Sequence, residues 1–171
     1  MAELTPKERL QPSLLDRLTD DEPEKPQESR DRRVLSTNRL RECVLRDLAW
    51  LFNASRMPDD SEIERYPFAA RSTINFGLPP LAGVTARSLD VDGLELILRQ
   101  VILDFEPRIL RNSLRVHTAF TEERMNHNAL TFEIDGELWG QPMPLQLYWK
   151  TEIDLESGQV KVEETNRTRE R

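Results

Sequence analysis

The spacing of apolar residues changes from a helical period to a strand period at a single proline, Pro107. Before it, apolar residues recur at i, i+3, i+4, i+7, i+8 and i+11, which is typical of one buried face of a helix. We expect Asp92 to cap this helix and Pro107 to end it. The apolar positions of the helix are Leu94, Ile97, Leu98, Val101, Ile102 and Phe105.

Beyond Pro107, apolar and polar residues alternate, which is the period of half-buried strands. Ser157-Gly158 predicts a tight turn before the last strand, and Asp135-Gly136 is either a second turn or a bulge. Helices first and antiparallel strands second predict an α+β fold: a two-layer domain with N-terminal helices packed on a C-terminal antiparallel sheet of about four strands. The alternating apolar residues are Leu114, Val116, Leu130, Phe132, Ile134, Leu147, Trp149, Ile153, Leu155, Val160 and Val162.

An earlier helix is predicted from Ser36, a good N-cap, to about Asn53. Arg41 and Asp47 fall inside its apolar arc, and a charge on a buried face needs a partner. They are either braces within the domain or contacts to another subunit. The arc comprises Leu40, Cys43, Val44, Leu45, Leu48, Trp50, Leu51 and Phe52. The following stretch, residues 56–88, is loop-like, with a short helical piece expected near 68–75.

The chain divides into three parts. Residues 1–33 are predicted to be a flexible leader, because four prolines and many charges leave little apolar surface to bury. Within it, Leu10, Leu14 and Leu18 recur at steps of four, and Pro12 stands at a plausible helix start, so a short helix is expected. That helix either docks on a partner or packs on its own domain. Residues 34–165 form the folded domain, and residues 166–171 form a polar tail.

Several functional classes are excluded by composition. No apolar run approaches the roughly 20 residues that span a bilayer, and the first residues lack the apolar stretch of a secretory signal. One cysteine and two histidines are too few for the four Cys and His ligands of a typical structural zinc site, and a net charge of −7 disfavours nucleic acid as a partner. We therefore expect a cytoplasmic protein with no cofactor, no metal, no nucleic acid and no direct membrane insertion.

The sequence shows no set of residues that is typical of a catalytic site. His117 lies on the polar face of a predicted strand, so Cys43 and the hydroxyl side chains lack an evident base. Asp104 and Glu106 are close in sequence, but residues at i and i+2 on a helix do not face each other. Paired carboxylates of a glycoside hydrolase are therefore not indicated there, and we predict that the chain is not an enzyme.

Glu106-Pro107-Arg108 is the most informative triplet. The proline restricts Glu106 and fixes the direction of the chain, so a stiff corner is expected to display an acid beside an arginine. Such a corner could dock on a reciprocal charge pair of a partner through the bidentate fork of Arg108. Alternatively, Glu106 and Arg108 cap their own helix end or pair with neighbours such as Arg111.

Three motifs in this order resemble the TssE family, the type VI secretion members of the contractile-phage baseplate wedge proteins once labelled "lysozyme-like". The motifs are Arg46-Asp47-Leu48-Ala49-Trp50-Leu51-Phe52-Asn53, Ser72-Thr73-Ile74-Asn75-Phe76-Gly77-Leu78-Pro79, and Phe105-Glu106-Pro107-Arg108. The leader sequence Ser13-Leu14-Leu15-Asp16-Arg17-Leu18 is also similar to that of the secretion-system branch.

The resemblance implies a structural baseplate part that joins the wedge core to the contractile sheath and helps to initiate sheath assembly. It implies that Glu106, Pro107 and Arg108 dock the sheath proteins TssB and TssC. The other implied partners are the wedge-core subunits TssF and TssG and, through the baseplate, TssK and the VgrG spike.

The resemblance makes Leu14, Leu15, Arg17 and Leu18 candidates for docking on the wedge core. It implies a cytoplasmic location at a baseplate docked to the inner membrane. The older family label supplies the alternative, a peptidoglycan-cleaving lysozyme-like hydrolase.

Overall fold

The helical half of the chain precedes the sheet. The computed structural model describes residues 13–19, 23–24, 36–57, 62–83, 90–119, 129–139 and 144–165. Helix α1 spans Leu14–Leu18, α2 spans Thr37–Asn53, α3 spans Pro67–Ala70 and α4 spans Val91–Phe105. Short 3-10 turns cover Glu62–Arg65 and Thr73–Asn75. The polar tail, Leu10, Pro12 and most of the predicted leader lie outside the described residues.

Helix α2 begins and ends as predicted. The Ser36 hydroxyl accepts a hydrogen bond from the Arg39 amide at 3.2 Å, which satisfies one free donor of the first turn. Its buried face matches the predicted arc at Leu40, Cys43, Val44, Leu48, Leu51 and Phe52. Trp50 was predicted in that arc, but its side chain is 53% exposed. Its ring lies beneath the Arg46 guanidinium, 5.0 Å from the centroid.

The N-cap of helix α4 lies two residues before the predicted cap. Asp90, not Asp92, is the N-cap, and its carboxylate accepts a hydrogen bond from the Gly93 amide at 3.0 Å. The backbone of Asp90 is extended, so its side chain can reach the amide three residues ahead. Asp92 is already inside the first turn, where its negative charge still complements the helix dipole. At the other end, α4 stops at Phe105 before Pro107, as predicted.

Four antiparallel strands form the sheet in the order β1-β2-β3-β4. They span Arg115–Thr118, Ala129–Leu138, Leu145–Asp154 and Val160–Glu164. The turn at Ser157-Gly158 is confirmed: Gly158 has a φ of +74°, and its amide donates to the Asp154 carbonyl at 2.7 Å. The helices and the four-stranded sheet confirm the predicted α+β class.

Asp135-Gly136 is neither a turn nor a bulge. Both residues lie inside β2, whose pairing with β3 runs unbroken from Ala129 to Leu138, with Gly136 opposite Leu147. A Cβ on Gly136 would lie 3.4 Å from Ile109 Cγ2. That distance is ordinary van der Waals contact, so the chain that leaves α4 packs directly against the sheet at this position.

One core joins the two halves. Helix α2 packs beside β4 and α4 packs beside β1. Between helices and sheet lie fully buried side chains that include Leu48, Leu98, Ile102, Phe132, Ile134, Leu147 and Trp149. The residues after α4 return across this core, since Ile109 is buried and pairs with Leu138. This packing fixes the position of the corner at residues 106–108.

Candidate docking surface

The corner after α4 is held by its own arginine. The Glu106 carboxylate accepts three hydrogen bonds from Arg108: from the backbone amide at 3.1 Å, from Nε at 2.7 Å and from Nη2 at 2.5 Å. The prediction that the corner displays an acid is wrong, because Glu106 is only 3% exposed. What the corner presents is exposed Pro107 and the Arg108 side chain, which is 23% exposed.

Asp47 of α2 is the second partner of Arg108. Its Oδ2 lies 2.5 Å from Arg108 Nη2, and its Oδ1 accepts from Arg46 Nε at 2.9 Å and Nη2 at 2.7 Å. Asp47 is thus a brace, one of the two roles left open by the sequence. Arg111 does not pair with Glu106; its Nη2 donates to the Leu103 carbonyl at 3.1 Å, near the end of α4.

These carboxylates fix the charge of Arg108. Burial lowers the pKa of Arg108, but hydrogen bonds and charge from Glu106, and then from Asp47, outweigh burial and raise it above its ordinary value. One donor, Nη1, is buried without an acceptor in the described part of the chain. The corner therefore carries a permanent, oriented cation whose hydrogen-bonding capacity is not fully used.

The leader helix α1 contacts the same cluster. Ser13 caps the helix, and the Asp16 carboxylate lies 2.8 Å from Arg46 Nη1 with its side chain only 7% exposed. Burial and the nearby Asp16 carboxylate raise the pKa of the Cys43 thiol. Burial also raises the pKa of Asp16, but its interactions with Ser13, Arg46 and Cys43 lower it by a larger amount, so the net shift is downward.

The candidate wedge-docking leucines of the leader are exposed. Leu14 and Leu18 are 72% and 74% exposed, and Leu15 is 45% exposed. Arg17 lies in the helix, and its side chain is outside the described residues. In this structure the helix thus seats its acid on the domain and leaves its leucines open.

An apolar groove of about 480 Å³ separates α1 from the corner. Its walls combine leader residues, α2 residues and the corner itself, so the two candidate docking elements border one surface. The lining residues are Ser13, Leu15, Asp47, Leu48, Trp50, Leu51, Phe76, Phe105, Glu106, Pro107 and Arg108.

Asn53, the last residue of the first motif, closes the edge of the sheet. Its Oδ1 accepts from the Val160 amide at 3.0 Å, and its Nδ2 donates to the Val160 carbonyl at 2.8 Å. The side-chain amide therefore satisfies both backbone groups of Val160 at the start of β4. This contact spans 107 positions of sequence.

The middle motif ties a loop to the end of α2. Leu78 exchanges backbone hydrogen bonds with Ala54 at 2.9 Å and Arg56 at 2.8 Å, and it forms a parallel bridge with Ser55. Gly77 has a φ of +123°, and a Cβ there would lie 2.2 Å from the Ala54 carbonyl oxygen. Only glycine fits this close approach.

Two more motif residues complete that loop. The Asn75 side chain accepts from the Met57 amide at 3.0 Å and donates to the Ala70 carbonyl at 2.9 Å. Pro79 follows Leu78, is partly buried, and lines a surface pocket together with Asn53. Asn53, Asn75, Gly77, Leu78 and Pro79 are therefore framework residues in this structure.

Other charged residues brace the domain in pairs that the sequence does not reveal. Arg41 donates to the Gln146 carbonyl at 3.3 Å and lies 3.7 Å from Glu164, so it ties α2 to the sheet. Arg71 Nη2 lies 2.6 Å from Asp104, whose side chain is 8% exposed. No local spacing signals these contacts, because their partners are far apart in sequence.

Most of the folded part of the chain matches a known protein family. The family model described as "Baseplate wedge protein gp25" matches residues 38–143, which is more than half of the chain. The chain belongs to the baseplate wedge protein gp25 family. This is the family of the TssE resemblance, and it supports a structural role in a phage-like baseplate. Searches of curated proteins and of solved structures found no match.

The wedge-family match covers the framework and the corner but not the leader. Asn53, Gly77 and Arg108 fall within residues 38–143, whereas α1 and the two last strands fall outside. Within the described ranges, no helix is long and apolar enough to cross a membrane. Among those same residues, no group of three His, Cys, Asp or Glu side chains is arranged to hold a metal ion.

Proposed function

We propose that this wedge-family protein is a structural part of a type VI secretion baseplate that joins the wedge core to the contractile sheath and helps to initiate sheath assembly. Membership of the wedge family supports the structural role. The similarity of the leader to the secretion-system branch favours that system over a phage tail. The sheath proteins TssB and TssC, the wedge-core subunits TssF and TssG, TssK and the VgrG spike are partners in this proposal.

The observation that carries the sheath-docking role is the fixed fork of Arg108. Its guanidinium is oriented by Glu106 and Asp47, yet part of the side chain stays exposed beside the groove. Binding to a guanidinium that is already oriented costs little side-chain entropy. Pro107 holds the geometry, and Glu106 acts from beneath as an anchor.

The leader is the proposed attachment to the wedge core. Leu14, Leu15 and Leu18 leave neighbouring apolar side chains exposed on one short helix, and such exposed apolar surface is typical of an interaction site. Attachment through these leucines would hold the protein at a cytoplasmic baseplate docked to the inner membrane. Contact with nucleic acid and insertion into the membrane are not part of this proposal.

We also propose that the chain has no peptidoglycan-cleaving activity. A glycosidase needs one carboxylic acid that can protonate the leaving group. Glu106 is the residue that the older label would favour, but both its oxygens accept from Arg108 and it is 3% exposed. A sugar chain would have to displace Arg108 before it could reach this carboxylate.

Charge reversal at the corner tests the docking role. In cells carrying a fluorescent sheath, Arg108→Glu should abolish sheath assembly, and Arg108→Lys, which keeps the charge but loses the fork, should reduce it. Arg65→Glu is the matched control, because Arg65 forms an exposed pair with Glu62 outside the groove. Far-ultraviolet circular dichroism would verify folding. Normal sheath assembly with a folded Arg108→Glu protein would overturn the proposal.

A further inference from the structure

A row of alternating charges connects the leader helix to the corner. Each neighbouring pair is in direct contact: Asp16 to Arg46 at 2.8 Å, Arg46 to Asp47 at 2.7 Å, Asp47 to Arg108 at 2.5 Å and Arg108 to Glu106 at 2.5 Å. We call these five residues the charge row. Its two ends lie on the two elements proposed to bind different partners.

We infer that Asp16 and Arg46 are positioning residues for the docking corner, so that seating of the leader helix sets how firmly Arg108 is held. The inference rests on the proposed function of the corner and leader. It adds a coupling between them: when the leader leaves its seat, Arg108 becomes freer. Attachment through the leader would then prepare the corner for docking.

The sharing of Asp47 gives the direction of this coupling. One oxygen of Asp47 accepts from Arg46 and the other from Arg108. In the structure, the Arg46 guanidinium contacts both the Asp16 and the Asp47 carboxylates. Without Asp16, Arg46 has Asp47 as its only carboxylate partner in the charge row, so it draws more strongly on the group that also holds Arg108. Loss of the Asp16 charge also removes one negative charge from the charge row, which further reduces the electrostatic attraction that holds Arg108 in place.

The seat of the leader is built to be released. Helix α1 turns Asp16 toward the domain and leaves Leu14 and Leu18 exposed, which reverses the usual orientation of an amphipathic helix. Among the described side chains of α1, the charged contact to the domain is Asp16 with Arg46, and the Arg46 side chain is itself 31% exposed. Arg46 stays in contact with water and keeps Asp47 as a partner, so loss of the Asp16 contact leaves no buried, unpaired charge on the domain. A partner that covers the two leucines can therefore lift the helix.

The first experiment tests the seat. Arg46 Nη1 lies 2.8 Å from the Asp16 carboxylate, so the Arg46 guanidinium reports whether the helix is seated. In full-length protein labelled with ¹⁵N-arginine, the Arg46 Nε signal is assigned by its loss in Arg46→Lys, and Asp16→Asn should shift it. Leu18→Ala, on the exposed side of the helix, is the matched control and should leave the signal unchanged. An Arg46 signal that Asp16→Asn did not shift would show that the helix does not occupy this seat.

The second experiment tests the coupling. In full-length protein labelled with ¹⁵N-arginine, the Arg108 Nε signal is assigned by its loss in Arg108→Lys. Asp16→Asn should speed exchange of this Nε hydrogen with water about two- to fivefold, the lower range of coupling in ion-pair networks. Asp16→Glu, which restores the carboxylate, should return the rate toward that of the unmodified protein.

Asp104→Asn is the control for a general effect of losing a carboxylate. Asp104 pairs with Arg71 outside the charge row, so exchange at Arg108 should not change. If Asp16→Asn altered Arg46 but left Arg108 unchanged, the coupling would be overturned while the docking role stood. If Arg108→Glu assembled sheaths normally, the docking role would fail while the measured coupling remained.

Discussion

Arg108 and Asp47 are joined across 61 positions of sequence by a contact of 2.5 Å between Nη2 and Oδ2. The contact fixes the corner after α4 onto the side of α2. It also converts Arg108 from a mobile surface cation into an oriented one. The geometry of the corner in this wedge-family protein therefore depends on a tertiary contact, although its three residues are consecutive.

Removal of the Asp47 carboxylate should destabilise the corner. Asp47→Ala leaves Arg46 and Arg108 with fewer acceptors, and we expect the free energy of unfolding to fall by about 1–2 kcal/mol in urea titrations. Glu62→Ala breaks an exposed pair with Arg65 and is the control, with an expected change of about 0–0.5 kcal/mol. Equal effects from the two variants would mean that the Asp47 contacts add nothing beyond a surface pair.

Gly77 should tolerate no side chain. Gly77→Ala combines a φ of +123° with a contact of 2.2 Å to the Ala54 carbonyl, so we expect a loss of at least about 2 kcal/mol in thermal or urea unfolding. Gly83→Ala is matched in backbone sign, with a φ of +79°, but meets open space. It should cost about 1 kcal/mol. A smaller loss at Gly77 than at Gly83 would contradict the close-approach argument.

Asn53 should protect the start of β4. Asn53→Ala leaves the amide and carbonyl of Val160 without their partner, and we expect a loss of about 1–3 kcal/mol. Hydrogen exchange at the Val160 amide should speed up more than exchange at buried β2 amides. Asn38→Ala, at an exposed position of α2, is the control. Unchanged protection of Val160 in Asn53→Ala would refute the edge-closing role.

Acid should unseat the leader. The pKa of Asp16 is lowered in the folded state from its ordinary value of 3.8, so the stability that this carboxylate contributes is present above that value. It is lost as pH falls through the lower, folded-state pKa. The ¹⁵Nε shift of Arg46 should therefore change with a midpoint below 3.8, and this step should be absent in Asp16→Asn. A midpoint above 3.8 would reverse the assigned direction.

Cell-wall assays should show no turnover. Purified protein incubated with peptidoglycan should release no soluble fragments, even at high protein concentration, because Glu106 is committed to Arg108. A known hydrolase serves as the positive control. Glu106→Gln should weaken folding rather than remove an activity, since it deprives Arg108 of its buried anion. Fragment release that Glu106→Gln abolished would instead support the hydrolase alternative.

Periodicity was sufficient for the elements because it reflects which side of a helix or strand is buried. The helical spacing up to Phe105 and the alternation after it correspond to α4 and to the four strands. Short local signals, such as a capping residue or a turn dipeptide, predicted individual positions less well. Asp90 and Asp92 are both plausible caps, and only the backbone conformation shows which carboxylate reaches Gly93. Asp135-Gly136 is a turn signal that the unbroken ladder of β2 overrides.

At the corner, too, local sequence and tertiary contacts decide different features. The helix must stop and the chain must turn at Pro107 whatever the rest of the fold, because proline restricts its own backbone and that of Glu106. Local sequence does not determine which charge faces outward. The tertiary structure buried Glu106, oriented Arg108 with Asp47 and brought Asp16 of the leader to Arg46. Those contacts depend on distances between residues far apart in the chain, which no local spacing encodes.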